Sequence, residues 1–99
     1  MNIIDWLAEW YQKYCDGDWE HCYGIKIQTL DNPGWMINID LTDTDLEEKV
    51  FETVRRDEGD EDWLICNVKD KVFQGNGSLN KFEDIILVFK EWVEKNSLT

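Results

Sequence analysis

Residues 23–41 constrain the fold most strongly, because two alternating segments flank a short run of turn-forming residues. Apolar residues recur at every second position, at Tyr23, Ile25 and Ile27 before the turn and at Trp35, Ile37, Ile39 and Leu41 after it. The connection is Asp31-Asn32-Pro33-Gly34, in which proline presets one backbone angle and glycine accepts a positive one. Two half-buried strands joined by such a turn predict an antiparallel β-hairpin.

A helix is predicted on each side of the strand-forming part of the chain. Asn2 can cap the first, and Gly17 can end it near Cys15 and Asp16. Its apolar stripe consists of Ile3, Trp6, Leu7, Trp10 and Tyr14. The closing helix has its own apolar stripe between Leu79 and Val93. Ser78 or Asn80 can cap it, and Asn80 with Glu83 has the spacing of a capping box.

The remaining strands are predicted between these elements. Residues 50–54 form a third strand, the acidic residues 57–62 an exposed loop, and residues 63–68 a fourth strand. Residues 71–73 can extend the fourth strand after a kink, before Gly75-Asn76-Gly77 interrupts it. The order predicts an α+β fold, with a mostly antiparallel sheet of four to five strands and an N-terminal and a C-terminal helix packed on one face. Because 99 residues cannot support two cores, residues 1–99 are predicted to form one domain.

The chain is strongly acidic, with 22 acids, 10 bases and a formal net charge of −12. Residues 40–62 hold eleven acids against three bases, a local charge of −8. This balance argues against direct binding to nucleic acid or to an anionic membrane, and it favours rapid encounter with a basic partner. A solvated acidic face is the alternative interpretation. The three cysteines and the absence of a leader-like or membrane-spanning pattern predict a cytoplasmic protein.

Four side chains, Cys15, His21, Cys22 and Cys66, are the candidate metal ligands or nucleophiles. Structural zinc sites usually present closely spaced ligand pairs, whereas the adjacent His21 and Cys22 would point to opposite sides of an extended chain. A cysteine nucleophile also requires a positioned base and an orienting carboxylate. We therefore predict a protein that is not an enzyme and has no catalytic residue, metal or other cofactor.

Surface recognition remains as the predicted activity. Trp19 lies between Asp18 and Glu20, and an aromatic ring surrounded by charge is typical of an interface hot spot. The alternative is that Trp19, like Trp35, closes the core where the first helix meets the hairpin.

The residues also carry a resemblance to a known family. The segment DWLAEWYQKYCDGDWEHCYGIKIQTLDNPGWMINIDL is followed by a strand beginning DWLI and by a closing helix ending in FKEW. Together, GDWEH followed by YGI, and then TLDNPGW, resemble the immunity protein 53 family of bacterial polymorphic toxin systems. The similarity extends over nearly the whole chain.

This resemblance implies a small cytoplasmic inhibitor that binds a cognate protein toxin, encoded beside it, and protects the producing cell. Many such toxins are nucleases with basic substrate grooves, so a partner with a basic surface is expected. An acidic mimic of nucleic acid that inhibits DNA- or RNA-binding proteins is the alternative function, and a small cysteine-dependent enzyme is a third. The oligomeric state is left open. The candidate toxin-binding residues are Asp16, Asp18, Trp19, Glu20, Asp43, Asp45, Asp57, Glu58, Asp60, Glu61 and Asp62.

Overall fold

The computed structural model describes residues 2–97 and confirms the α+β fold. The elements are α1 (Ile3–Tyr14), α2 (Trp19–Cys22), β1 (Ile25–Leu30), β2 (Gly34–Asp40), β3 (Val54–Asp57), β4 (Trp63–Lys69), β5 (Val72–Gly77) and α3 (Phe82–Asn96). The strands form one five-stranded sheet in the order β1-β2-β5-β4-β3, with every neighbouring pair antiparallel. Within residues 2–97, no helix is long and apolar enough to cross a membrane.

The predicted hairpin is confirmed as β1 and β2. Ile25 lies opposite Ile39, and Ile27 lies opposite Ile37, so the apolar residues of both strands share one face of the sheet. Gly34 does not have the positive φ angle that the turn predicted. A Cβ atom there would lie 2.5 Å from the carbonyl oxygen of Gly77 on β5, so a side chain is excluded by the close approach of the next strand.

Helices α1 and α3 cover the apolar face of the sheet. The Phe73 ring of β5 lies 5.0 Å from the Phe89 ring of α3, and Phe89 lies 5.0 Å from Trp10 of α1. The predicted cap of α1 is confirmed, because the Asn2 side chain accepts a 2.8 Å hydrogen bond from the Asp5 backbone N–H. The core is therefore built from sheet, α3 and α1 together.

The prediction of a third strand over residues 50–54 was wrong. β3 begins only at Val54, and residues 50–53 are irregular. The Val50 carbonyl accepts a 2.9 Å hydrogen bond from the Trp92 indole Nε1 of α3, and the Phe51 ring packs 5.0 Å from the same indole. This segment is thus held by the closing helix rather than by a neighbouring strand.

The prediction that Gly75-Asn76-Gly77 interrupts the sheet was also wrong, because these residues belong to β5, between β2 and β4. A Cβ atom at Gly75 would overlap Cγ2 of Ile85, so glycine lets α3 pack directly on the strand. The predicted kink is a tight turn between β4 and β5, in which Asp70 and Lys71 have φ angles of 54° and 62°. Two consecutive residues with positive φ angles are typical of the two-residue loop that joins the strands of a β-hairpin.

The predicted capping box of the last helix is absent. The Asn80 side chain instead accepts a 2.7 Å hydrogen bond from the Ser78 hydroxyl, and Asn80 lies in a single 3₁₀ turn ahead of α3. The Ser78 oxygen also accepts a 3.1 Å hydrogen bond from the Trp63 N–H. Ser78 therefore ties the start of α3 to β4 and does not cap the helix.

Candidate interaction surfaces

The predicted binding residues lie at opposite ends of the sheet. Residues 16–20, Asp43 and Asp45 lie near the carboxyl end of β2, because the Trp19 Nε1 atom donates a 2.8 Å hydrogen bond to the Thr42 carbonyl. Residues 57–62 connect β3 to β4 at the other end. A seven-residue strand such as β2 is about 20 Å long at ~3.3 Å per residue. The predicted binding residues therefore form two separate surfaces, which we name the near end (residues 16–20, Asp43 and Asp45) and the far end (residues 57–62).

At the near end, Asp16 and Glu20 hold the turn between α1 and α2. The Asp16 carboxylate accepts 2.9 Å hydrogen bonds from the N–H groups of Asp18 and Trp19. Glu20 reaches back and accepts 2.9 Å bonds from the N–H groups of Asp16 and Gly17. Gly17 allows this reversal with a φ angle of 96°. The two carboxylates thus hold the turn ahead of α2 through reciprocal bonds, whereas the N-cap residue of α2, Asp18, forms no side-chain capping bond.

Backbone hydrogen bonds explain the acidity of both carboxyl groups. The N–H of Trp19, and then that of Asp18, holds the pKa of Asp16 below its usual value. The pKa of Glu20 is lowered first by its own N–H and also by those of Asp16 and Gly17. Folding lowers both pKa values, so the two ionised carboxylates stabilise the folded protein. This contribution is fully present above the ordinary carboxyl pKa near 4, and it is lost as the pH falls through the lowered values.

Trp19 was predicted as an interface residue, but its side chain is buried. Its side chain is only 5% exposed, and it lies among the rings of Trp10, Tyr11, Tyr14 and Tyr23. The one-turn helix α2 directs the ring inward, under the end of α1. The charged neighbours Asp18 and Glu20 remain at the surface, so the sequence pattern of an aromatic ring between acids did not indicate an exposed ring.

Asp45 of the near end and the neighbouring Glu47 contact basic side chains. Asp45 accepts 3.2 Å hydrogen bonds from Lys13 Nζ and from the Tyr14 hydroxyl. The hydrogen bond to Asp45 raises the pKa of Lys13. The Asp43 N–H donates to Glu47, whose other oxygen lies 2.8 Å from Lys71 Nζ. These exposed pairs anchor the segment after β2 to α1 and to the β4–β5 turn.

The far end holds the freer carboxylates. Asp62 forms an ion pair with Lys81, with 2.7 Å between its Oδ1 atom and Nζ, and this contact raises the pKa of Lys81. Among the described residues, Glu58, Asp60 and Glu61 form no ion pair and are exposed. Asp60 and Glu61 line a depression together with Asn32 and Pro33 of the β1–β2 turn. The far end therefore lies beside the tip of the first hairpin.

An apolar groove between α1 and β1 was not predicted from the sequence. It has a volume of about 720 Å³ and is open to solvent. Its apolar walls are formed by Ile4, Ala8 and Tyr11 of α1 and by Ile25 and Ile27 of β1. Cys22 and His21 also line it, and both are exposed. The alternation of Ile25 and Ile27 had indicated a buried face, but the helices do not extend fully over this edge strand.

The candidate ligands are dispersed. Within residues 2–97, no group of three or more His, Cys, Asp or Glu residues is placed to hold a metal ion. Cys66 is buried, and desolvation raises the pKa of its thiol to about 12. The Cys15 thiol donates a 3.4 Å hydrogen bond to the Tyr11 carbonyl. A buried thiol with a raised pKa is a poor nucleophile.

An exposed apolar groove rimmed by charged side chains is a common feature of interaction sites. The chain belongs to the immunity protein 53 family, whose model matches residues 4–94 and confirms the resemblance in the sequence. Membership of an immunity protein family points to a toxin-neutralising, non-enzymatic role. No curated protein and no solved structure matches the chain significantly.

Proposed function

We propose that this protein binds a cognate polymorphic toxin in the cytoplasm of the bacterium that produces it, and that it neutralises the toxin by stoichiometric binding without any catalytic step. The observation that carries the proposal is the family match over residues 4–94. The family implies a protein partner, and the open surfaces at both ends of the sheet and along β1 offer places for one.

The net charge supports a toxin with a basic surface. A charge of −12 attracts such a surface over a distance of about a Debye length and raises the association rate, with an effect that salt weakens. A nuclease toxin presents basic side chains where it binds phosphate, and carboxylates can occupy those positions. This chemistry makes a nuclease a suitable partner for the acidic ends.

Among the predicted binding residues, the far end is the strongest candidate for steering. Glu58, Asp60 and Glu61 are exposed and form no ion pair within residues 2–97, whereas Asp62 pairs with Lys81. At the near end, the carboxylates of Asp16 and Glu20 accept hydrogen bonds from the backbone of the turn ahead of α2, although their charges still contribute to the field. Asp18, Asp43 and Asp45 add exposed negative charge there, and Asp57 adds it at the end of β3.

The double variant Asp60→Lys/Glu61→Lys tests this steering. We expect its association with the toxin domain encoded beside this gene to be about tenfold slower at low salt, with a flatter dependence on ionic strength. Stopped-flow fluorescence measures both quantities. Asp62 is left unchanged, so its ion pair with Lys81 is preserved and the fold is retained.

The matched control is Glu83→Lys/Glu91→Lys, which makes the same change in net charge on the exposed side of α3. If the far end has a specific role, the association rate of the control variant should fall much less than that of Asp60→Lys/Glu61→Lys. Equal slowing by both variants would show that only net charge matters. Unchanged rates in both would contradict the proposed electrostatic steering.

A further inference from the structure

The two edge strands of the sheet are protected unequally. β3 has four residues, of which Arg55, Arg56 and Asp57 are charged. β1 has six residues, contains no proline and pairs with β2 in a regular register without a bulge. Natural proteins usually shorten, charge or distort an exposed edge, because an open edge pairs with other chains. β3 follows this rule in both length and charge, whereas β1 carries a single charge, Lys26, whose side chain lies on the uncovered face of the sheet.

In the part of the chain that the structure describes, the sheet pairing leaves backbone hydrogen-bonding groups of β1 without a partner strand. The Asp40 N–H donates a 3.0 Å bond to the Gly24 carbonyl, which fixes the phase of the antiparallel ladder. Hydrogen-bonded and non-hydrogen-bonded pairs alternate along an antiparallel ladder. The N–H and C=O groups of Lys26 and Gln28 therefore point toward β2. Those of Ile25, Ile27 and Thr29 point away from the sheet. These outward groups form a regular template for one more strand.

The apolar groove lies directly beside this template. Ile4 is 49% exposed and Ile27 is 45% exposed, although both lie on the side of the sheet that α1 covers elsewhere. An added strand would place alternate side chains over Ile4, Ala8, Tyr11 and Ile27. The edge therefore offers backbone hydrogen bonds, and the groove offers a binding site for apolar side chains, which is the combination used in strand addition.

Charge decides which kind of chain fits this edge. Glu20 and Asp40 lie at the Gly24 end of the groove, and the lining also includes Lys26 of β1. At the other end, the β1–β2 turn carries Asp31 and lies beside Asp60 and Glu61. A second copy would bring together two chains of charge −12 and align their acidic ends. A segment with basic residues at its ends would instead meet carboxylates at both.

We propose that β1 and the adjacent groove receive an extended segment of the toxin as a sixth strand, with apolar side chains at alternate positions in the groove and basic residues at its ends. This inference rests on the proposed function, since the occupant is the toxin. It adds the binding mode and places the apolar centre of the interface between the acidic ends.

The variant Ile27→Lys tests the groove. We expect its Kd for the toxin domain encoded beside this gene to rise at least tenfold, because a lysine in the groove must be desolvated on binding. The matched control is Leu87→Lys, which changes a 37% exposed leucine on α3. Its Kd should stay within twofold of that of the unaltered protein. Titration calorimetry gives both constants, and circular dichroism checks the fold.

The variant Thr29→Pro tests the backbone template. Proline removes the outward N–H of Thr29 and leaves the bonds between β1 and β2 intact, as edge strands permit. Thr29→Ala is the control, because it removes the exposed side chain and keeps the N–H. We expect weaker binding for the proline variant, by about tenfold, and unchanged binding for the alanine variant.

The outcomes separate this inference from the proposed function. If the unaltered protein binds the toxin and both folded edge variants bind equally well, the strand-addition proposal is overturned while the immunity function stands. If binding is instead lost in Gln74→Lys, on the uncovered face of the sheet, the toxin docks there and the edge proposal fails. A dimer of the unaltered protein that Ile27→Lys dissociates would assign the edge to a second copy. Failure of the unaltered protein to bind the toxin removes both proposals.

Discussion

Replacing Trp19 with alanine is expected to lower the free energy of unfolding by about 3–5 kcal/mol, the range for deletion of a buried large aromatic ring. The side chain is 5% exposed and contacts four other aromatic rings, so its loss leaves a cavity at the junction of α1, α2 and the sheet. The Nε1 bond to the Thr42 carbonyl is lost as well. Urea denaturation followed by circular dichroism measures the change.

Trp63→Ala is the matched control for Trp19. Trp63 is half-buried on the uncovered face of the sheet, and its backbone bonds to Ser78 do not depend on the side chain. We expect Trp63→Ala to lower the free energy of unfolding by less than half as much as Trp19→Ala. Trp19→Phe keeps most of the ring and should lose about 1 kcal/mol with the hydrogen bond. If Trp19→Ala were as stable as the unaltered protein but bound toxin poorly, Trp19 would be an interface anchor after all.

Gly75→Ala is expected to destabilise the protein by about 3 kcal/mol, the upper part of the usual range for overpacking. The added methyl group would overlap Cγ2 of Ile85 and lie 3.3 Å from the Phe73 ring, in a central strand that cannot shift without its neighbours. Thermal and urea unfolding measure the loss. Glycine-to-alanine changes at unhindered positions usually stabilise a protein, so the expected sign depends on this overlap.

A double-mutant cycle assigns the effect to one contact. Ile85→Leu removes the branched methyl that the new Cβ would meet, and it should recover part of the stability lost in Gly75→Ala. Asn76→Ala, in the same strand but on the uncovered face, serves as the control and should change stability little. A stabilised Gly75→Ala protein, or additive effects of the two substitutions, would show that close packing of α3 is not the reason for glycine at this position.

The fold was predicted where local pattern and turn chemistry agree. The hairpin of residues 25–40 has clean alternation about a strong turn, and α1 has both a cap and an apolar stripe. Residues 50–53 and Gly75 were misassigned because their conformations depend on α3. The Val50 carbonyl bonds to Trp92, and Gly75 makes room for Ile85. Such tertiary contacts leave no local signal in either segment.

The candidate surfaces were predicted less well. Charge composition indicated an acidic protein, but the sequence could not show that residues 43–45 and 57–62 lie at opposite ends of a sheet. Nor could it show that Trp19 is directed inward, since the one-turn helix α2 follows a turn that the carboxylates of Asp16 and Glu20 hold. The groove was missed because Ile27 has the pattern of a core residue. Its exposure follows from the position of β1 at the sheet edge.

Titration of the toxin with this protein tests the central claim most directly. A fixed amount of the cognate toxin domain is mixed with increasing amounts of the purified protein, and the residual toxic activity is measured. Stoichiometric neutralisation predicts a linear fall that reaches zero at one equivalent when both are well above the Kd. Full toxic activity in the presence of excess protein, or complete loss of activity at a small fraction of an equivalent, would contradict it.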